Sequence, residues 1–196
     1  MSVRPSSGFS LVELLVVAAL VATTAAVALP IVRHAADAAD GAAAARHLAA
    51  LVARARVEAA RRQRTVALRF ESSDGEPRFA LVVDGDGDGV AAADVTAGVD
   101  WVLRPFDTLA AHFPRARIGI AAAVPGIDGE PLSPVDAAVR LGAAAQVSIS
   151  PLGTATSGTI YVASRGGAQY ALRIAGVTGR VRLLRYGTGT RQWQGI

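Results

Sequence analysis

Phe9 to Leu29 reads FSLVELLVVAALVATTAAVAL and stops at Pro30. Its one ionisable group is Glu13. At about 1.5 Å of rise per residue, the run reaches roughly 30 Å as a helix, the hydrocarbon thickness of a bilayer. A core helix of a soluble domain would be shorter and would carry a polar stripe. The stretch therefore predicts a membrane-spanning helix, and the rest of the chain is read outward from it.

The eight residues before it, MSVRPSSG, carry one positive charge (Arg4) and no acid. A secretory signal peptide places small residues at a cleavage site after its apolar run. Here the small residue, Gly8, comes before the run, so cleavage after Gly8 would leave the apolar helix on the mature chain. Gly8-Phe9-Ser10-Leu11-Val12-Glu13 resembles the class III signal of type IV prepilins and type II secretion pseudopilins. The resemblance implies that a prepilin peptidase cuts after Gly8 and methylates the new N-terminus at Phe9. It also implies that Pro30 is the family's helix-kinking proline. An acid inside a spanning helix costs a few kcal/mol and calls for a partner. For Glu13 the resemblance implies the amine of Phe9 on a neighbouring subunit in a filament. The alternative is a Glu13 solvated near the membrane face.

After the leader and the spanning helix, roughly 165 residues remain, enough for one core. All 20 basic residues are Arg, and there is no Cys, so no disulfide can staple the fold. The net charge of +4 hides an asymmetry. Beyond Asp136, the last acid, come Arg140, Arg165, Arg173, Arg180, Arg182, Arg185 and Arg191.

Alanine carries the helix on from Pro30 to about Arg64. Leu48, Leu51, Val52, Ala55 and Ala59 make one apolar face. Arg33 with Asp37, and Glu58 with Arg62, are i, i+4 pairs on the wet face. Pro30 should bend the helix, and Gly41 is a second weak point. From Thr65 the period changes to two. TVALRFE (65–71) and RFALVVD (78–84) predict a hairpin, and WVLRPF (101–106) a strand that Pro105 pushes to an edge. Further strands are predicted at 117–121, 138–142, 146–150, 159–164, 169–175 and 180–186, with helical turns at 91–94 and 107–112. Trp101 is expected in the core. Trp193 covers a sheet edge or meets a partner, and the tail from Gly187 frays.

One long helix followed by antiparallel strands is α+β, a pilin-like arrangement. The expected layout is a leader at 1–8, a membrane or filament-core helix at 9–30, its amphipathic continuation at 31–64, and a β-rich domain at 65–196. The order of elements, with PLGTATSGTIYVAS and a GRVR strand near the end, resembles the GspH/FimT branch of minor pseudopilins and minor pilins.

Asp84, Asp86 and Asp88, alternating with glycines, resemble the start of a calcium loop. The closing acid is missing, since Val95 stands in its place, so a polar turn is the competing reading. His34, His47 and His112 have no metal-ligand spacing, and the first two read as solvated helix positions. No nucleophile elbow, phosphate loop or dinucleotide fingerprint is present, which points away from an enzyme and from any cofactor besides calcium. Gly179-Arg180-Val181-Arg182 resembles the motif with which FimT-type minor pilins bind DNA. The competing reading gives these arginines a solvated strand face with acids from earlier in the chain.

The expected role is a minor pseudopilin of type II secretion, held in the inner membrane with its domain in the periplasm. Its expected partners are other pseudopilins, or pilins, and the prepilin peptidase. A DNA-binding minor pilin is the alternative. A single-span protein with a periplasmic ligand-binding domain, never cleaved, is the third reading.

Overall fold

Alanine-rich sequence carries one helix through both predicted segments. In the computed structural model, which describes residues 10–73, 75–134 and 137–196, α1 spans Leu11–Arg62 and contains Pro30. The proline ring leaves the Ala26 carbonyl without its usual helical donor, yet the helix runs on past it. Contacts divide the chain between Ala36 and Asp37. The part ending at Ala36 exposes its apolar side chains, among them Leu11, Leu15, Leu20 and Val27, each by more than half. Asp37–Ile196 has a core of its own.

In that second part α1 buries Gly41, Ala44, Ala45, Leu48, Leu51, Val52, Ala55 and Ala59 at helical spacing. Small side chains let the helix lie close to two antiparallel sheets. The first has the strand order β3-β2-β1-β8, with β1 at Val66–Ser73, β2 at Glu76–Val83, β3 at Trp101–Thr108 and β8 at Gln146–Ile149. The predicted hairpin pairs from Val66↔Val83 to Ser73↔Glu76. β3 lies at the edge, and its pairing with β2 is irregular on both sides of Arg104, where Pro105 has no N–H to give.

The second sheet has the order β12-β11-β10-β9-β4, and β7 also pairs with β9. Its strands are β4 at Ala116–Ile118, β7 at Val139–Arg140, β9 at Gly158–Ser164, β10 at Gln169–Ala175, β11 at Arg180–Gly187 and β12 at Gln192–Gly195. Short helices α2 (Ala92–Ala97) and α3 (Leu109–His112) flank β3, and a small hairpin joins β5 (Val124–Pro125) to β6 (Pro131–Leu132).

Strand alternation sorts side chains between three clusters. Val66, Leu68, Phe70, Phe79, Leu81, Val147, Ile160, Val162, Tyr170 and Leu172 face the helix in the main core. Ala67, Ala80 and Val82 point the other way, under Val90 of the following loop. Tyr161, Ala171 and Leu184 also point outward, under Ile120 and Leu132, with Trp193 against them.

The structure corrects several local expectations. Trp101 is 39% exposed on the edge strand, with the Arg64 guanidinium 5.9 Å from its ring centre. The tail does not fray: Gln192–Gly195 pairs with β11, and the Trp193 indole N–H donates to the Pro125 carbonyl at 2.9 Å. Asp37 pairs with Arg115 at 3.6 Å rather than with Arg33. Gly41 is a packing position, not a weak point. A Cβ there would stand 2.6 Å from the Tyr170 ring and 3.0 Å from Ser164 Cβ.

Candidate functional site

Among the described residues, the exposed apolar part of α1 presents almost no unmet polar group. Thr23 and Thr24 return their hydroxyl protons to carbonyls one turn back, at 2.8–3.0 Å. Glu13 is the exception, exposed in the first turn of α1. A helix of this length and composition can cross a membrane. Gly8 and Phe9, the expected processing residues, lie outside the described residues.

Asp84, Asp86 and Asp88 come together with their carboxylates within 4.8 Å of one another. The loop is nevertheless braced by its own backbone. Both oxygens of buried Asp84 accept N–H groups, from Gly87 at 2.6 Å and Gly89 at 3.1 Å. Buried Asp100 does the same for Gly85 at 2.9 Å and Ala91 at 3.0 Å. Arg64 donates to the Asp84 and Gly85 carbonyls from below. Asp86 and Asp88 are exposed, and a hydrogen bond between them pushes the Asp88 pKa up. Asp100 had no signal in the sequence, because a buried acid fifteen residues beyond Gly85 has no local signature.

His47 is half-buried rather than fully solvated. Its ring centre lies 5.5 Å from that of His112, 5.6 Å from Phe113 and 6.3 Å from Phe79, and its Nε2 is buried with no hydrogen-bond partner among the described residues. His112 bonds Asp107 at 2.7 Å, and Arg104 reaches the same carboxylate at 3.5 Å. Burial, then Arg104 and His112, hold the His47 pKa below 6.5, against a smaller opposing pull from Asp107. The unfolded chain therefore binds this proton more readily than the folded one. This contribution to stability is complete above about pH 6.5 and is lost as pH falls below it. The melting temperature of Asp37–Ile196 is expected to fall by a few degrees between pH 7.5 and 5.5. His47→Phe should flatten that slope, and equal slopes in both proteins would refute the assignment.

The basic strand shows a division of labour. Gly179 is buried at φ +55°, in the left-handed region that favours glycine. A Cβ there would stand 2.6 Å from the Gly153 carbonyl oxygen and run into the Arg56 guanidinium. Arg56 in turn donates to the carbonyls of Gly153 and Thr178. The glycine of the motif is thus accounted for by the turn it makes. Arg180 and Arg182 are exposed, and among the described residues neither meets a carboxylate. Arg173 and Arg140 do meet one: Arg173 pairs with Asp128 at 2.7 Å and Arg140 with Glu130 at 2.9 Å. Sequence reading had no signal for this pairing, because it depends on the β5–β6 hairpin.

A long apolar N-terminal helix laid on antiparallel sheets defines a pilin-like subunit. Comparison with known families agrees. Residues 44–179 match the family described as type II transport protein GspH, and residues 3–29 match the prokaryotic N-terminal methylation motif. The chain belongs to the GspH family. Neither the curated proteins nor the solved structures gave a match. The family match ends at Gly179, so it does not extend to Arg180 and Arg182.

Proposed function

We propose that the chain is a minor pseudopilin of a type II secretion system. The observation that carries this reading is the exposed apolar helix with one carboxylate, Glu13, in its first turn. Before assembly the bilayer covers that helix, with the β-rich domain in the periplasm. In the filament the helices of neighbouring subunits cover it instead. Glu13 then pairs with the methylated amine of Phe9 on the next subunit, which removes the cost of a buried, unpaired charge. The protein's role is structural, and the prepilin peptidase acts on it as a substrate. The match to a family described as a type II transport protein supports secretion over a pilus.

Mass spectrometry of the mature chain tests the processing step. The expected N-terminus is methylated Phe9, whereas an intact Met1 or Ser2 would leave an ordinary single-span protein. Glu13→Gln tests assembly. The variant should still insert into the membrane, while its crosslinks to neighbouring subunits fall at least ten-fold, in line with the loss of a buried charge pair. Crosslinking at the wild-type level would sink the pairing.

A further inference from the structure

The outer face of the second sheet carries a cross-strand row of arginines. Arg140 is opposite Thr159, Thr159 opposite Arg173, and Arg173 opposite Arg182. Residues paired across antiparallel strands project to one face, so these four side chains line up, and Arg180 joins them two residues along β11. Half of the row is already in use. The turn between β5 and β6 presents Asp128 and Glu130, acids at alternate positions, to Arg173 and Arg140. Arg180 and Arg182 repeat the same alternate spacing, are exposed, and hold no carboxylate among the described residues. The backbone beside them is open as well. Among the described residues β12 pairs with β11 only over Leu184–Gly187, and Ile196 adds a bond to the Leu183 carbonyl at 3.2 Å. Alternation along the strand turns the Val181 peptide groups toward that same edge.

We propose that Arg180 and Arg182, with the free edge at Val181, form a docking surface for an extended acidic segment of another protein, one with carboxylates at alternate positions. Such a segment would add as a strand to β11, with main-chain hydrogen bonds supplying the register. Its acids would sit on Arg180 and Arg182 as Asp128 and Glu130 sit on Arg173 and Arg140. Guanidinium forks suit planar carboxylates, and the intramolecular pairs show the match. Nucleic acid fits less well, because a sugar-phosphate backbone cannot add to the strand edge at Val181. This surface goes beyond the filament role and does not depend on Glu13 or on processing.

The test uses the full chain in detergent and fluorescent, end-blocked nonapeptides. One alternates glutamate with threonine. Its isomer has the same composition with the glutamates together. The alternating peptide is expected to bind roughly ten-fold more tightly than its isomer. Arg180→Gln with Arg182→Gln should remove that preference. Asp128→Asn with Glu130→Gln, which frees Arg173 and Arg140, should tighten binding several-fold. Equal binding of the two isomers would overturn the proposal, as would an unchanged preference in the arginine variant. Tighter binding of a 20-base-pair DNA duplex than of the peptide at the same salt would overturn it in favour of a nucleic-acid surface.

Discussion

Gly85→Ala is expected to lower the melting temperature of Asp37–Ile196 by about 10 °C, taking a cost near 3 kcal/mol and 2–4 °C per kcal/mol at this size. The added Cβ would run into the Val99 carbonyl oxygen, backbone against backbone, where no rotamer change gives relief. The segments around Gly85 and Val99 cannot move apart freely, because Asp100 holds the Gly85 N–H and Arg64 holds its carbonyl. Gly87→Ala is the control. Gly87 has φ +99° but open space around it, so its cost is backbone strain alone, about 1 kcal/mol. Equal melting shifts for the two variants would show that the close approach at Gly85 does not matter. The same experiment bears on calcium. Asp84 and Asp100 each accept backbone N–H groups on both carboxylate oxygens and so brace the loop from within; millimolar calcium is therefore expected to leave the wild-type melt unshifted.

The second large effect is expected at Gly41→Leu, and its sign is diagnostic. Leucine is a better helix former than glycine by close to 1 kcal/mol, so a merely weak point in the helix would be strengthened. The structure predicts the opposite. Even the Cβ would press on the ring of Tyr170, which is fully buried and whose hydroxyl donates to the Ala38 carbonyl at 2.8 Å. Overpacking there should cost about 3 kcal/mol and break the hydrogen bond. The expected result is a fall of roughly 10 °C in melting temperature, from 2–4 °C per kcal/mol. A rise would show that the helix does not pack as described.

Where the sequence was informative, the signal was periodic. The i, i+3, i+4 spacing of Leu48, Leu51 and Val52 marked the buried helix face, and the alternation of Val66, Leu68 and Phe70 marked the first strand. The long apolar helix was legible because length and apolarity alone define it. What stayed hidden depends on partners distant in the chain. Trp101 read as core because tryptophan usually is, but an edge strand has a wet face, and only the sheet order shows that β3 is the edge. His47 read as solvated because it sits on the predicted helix with no metal-ligand spacing to the other histidines. Its surroundings come from Phe79, His112 and Phe113, at least thirty residues away. The glycines split the same way. Gly179 carried a motif and Gly41 a helix break, yet a turn and a tyrosine ring explain them.

The fastening of α1 also has a mechanical consequence. Within Asp37–Ile196, α1 is tied by Tyr170 at Ala38 and by Arg56 to the loops around Gly153 and Thr178, and Arg64, just past its C-terminus, is tied to Asp84 and Gly85. These ties are spread over roughly 35 Å of helix. A force pulling on the N-terminal end of α1 loads them in parallel, as shear, together with the apolar face between them. They must yield together instead of peeling one by one. The second half of the helix is thus built as a tow-bar: tension entering Asp37–Ile196 along α1 is shared by all of these ties before any part of that unit unthreads.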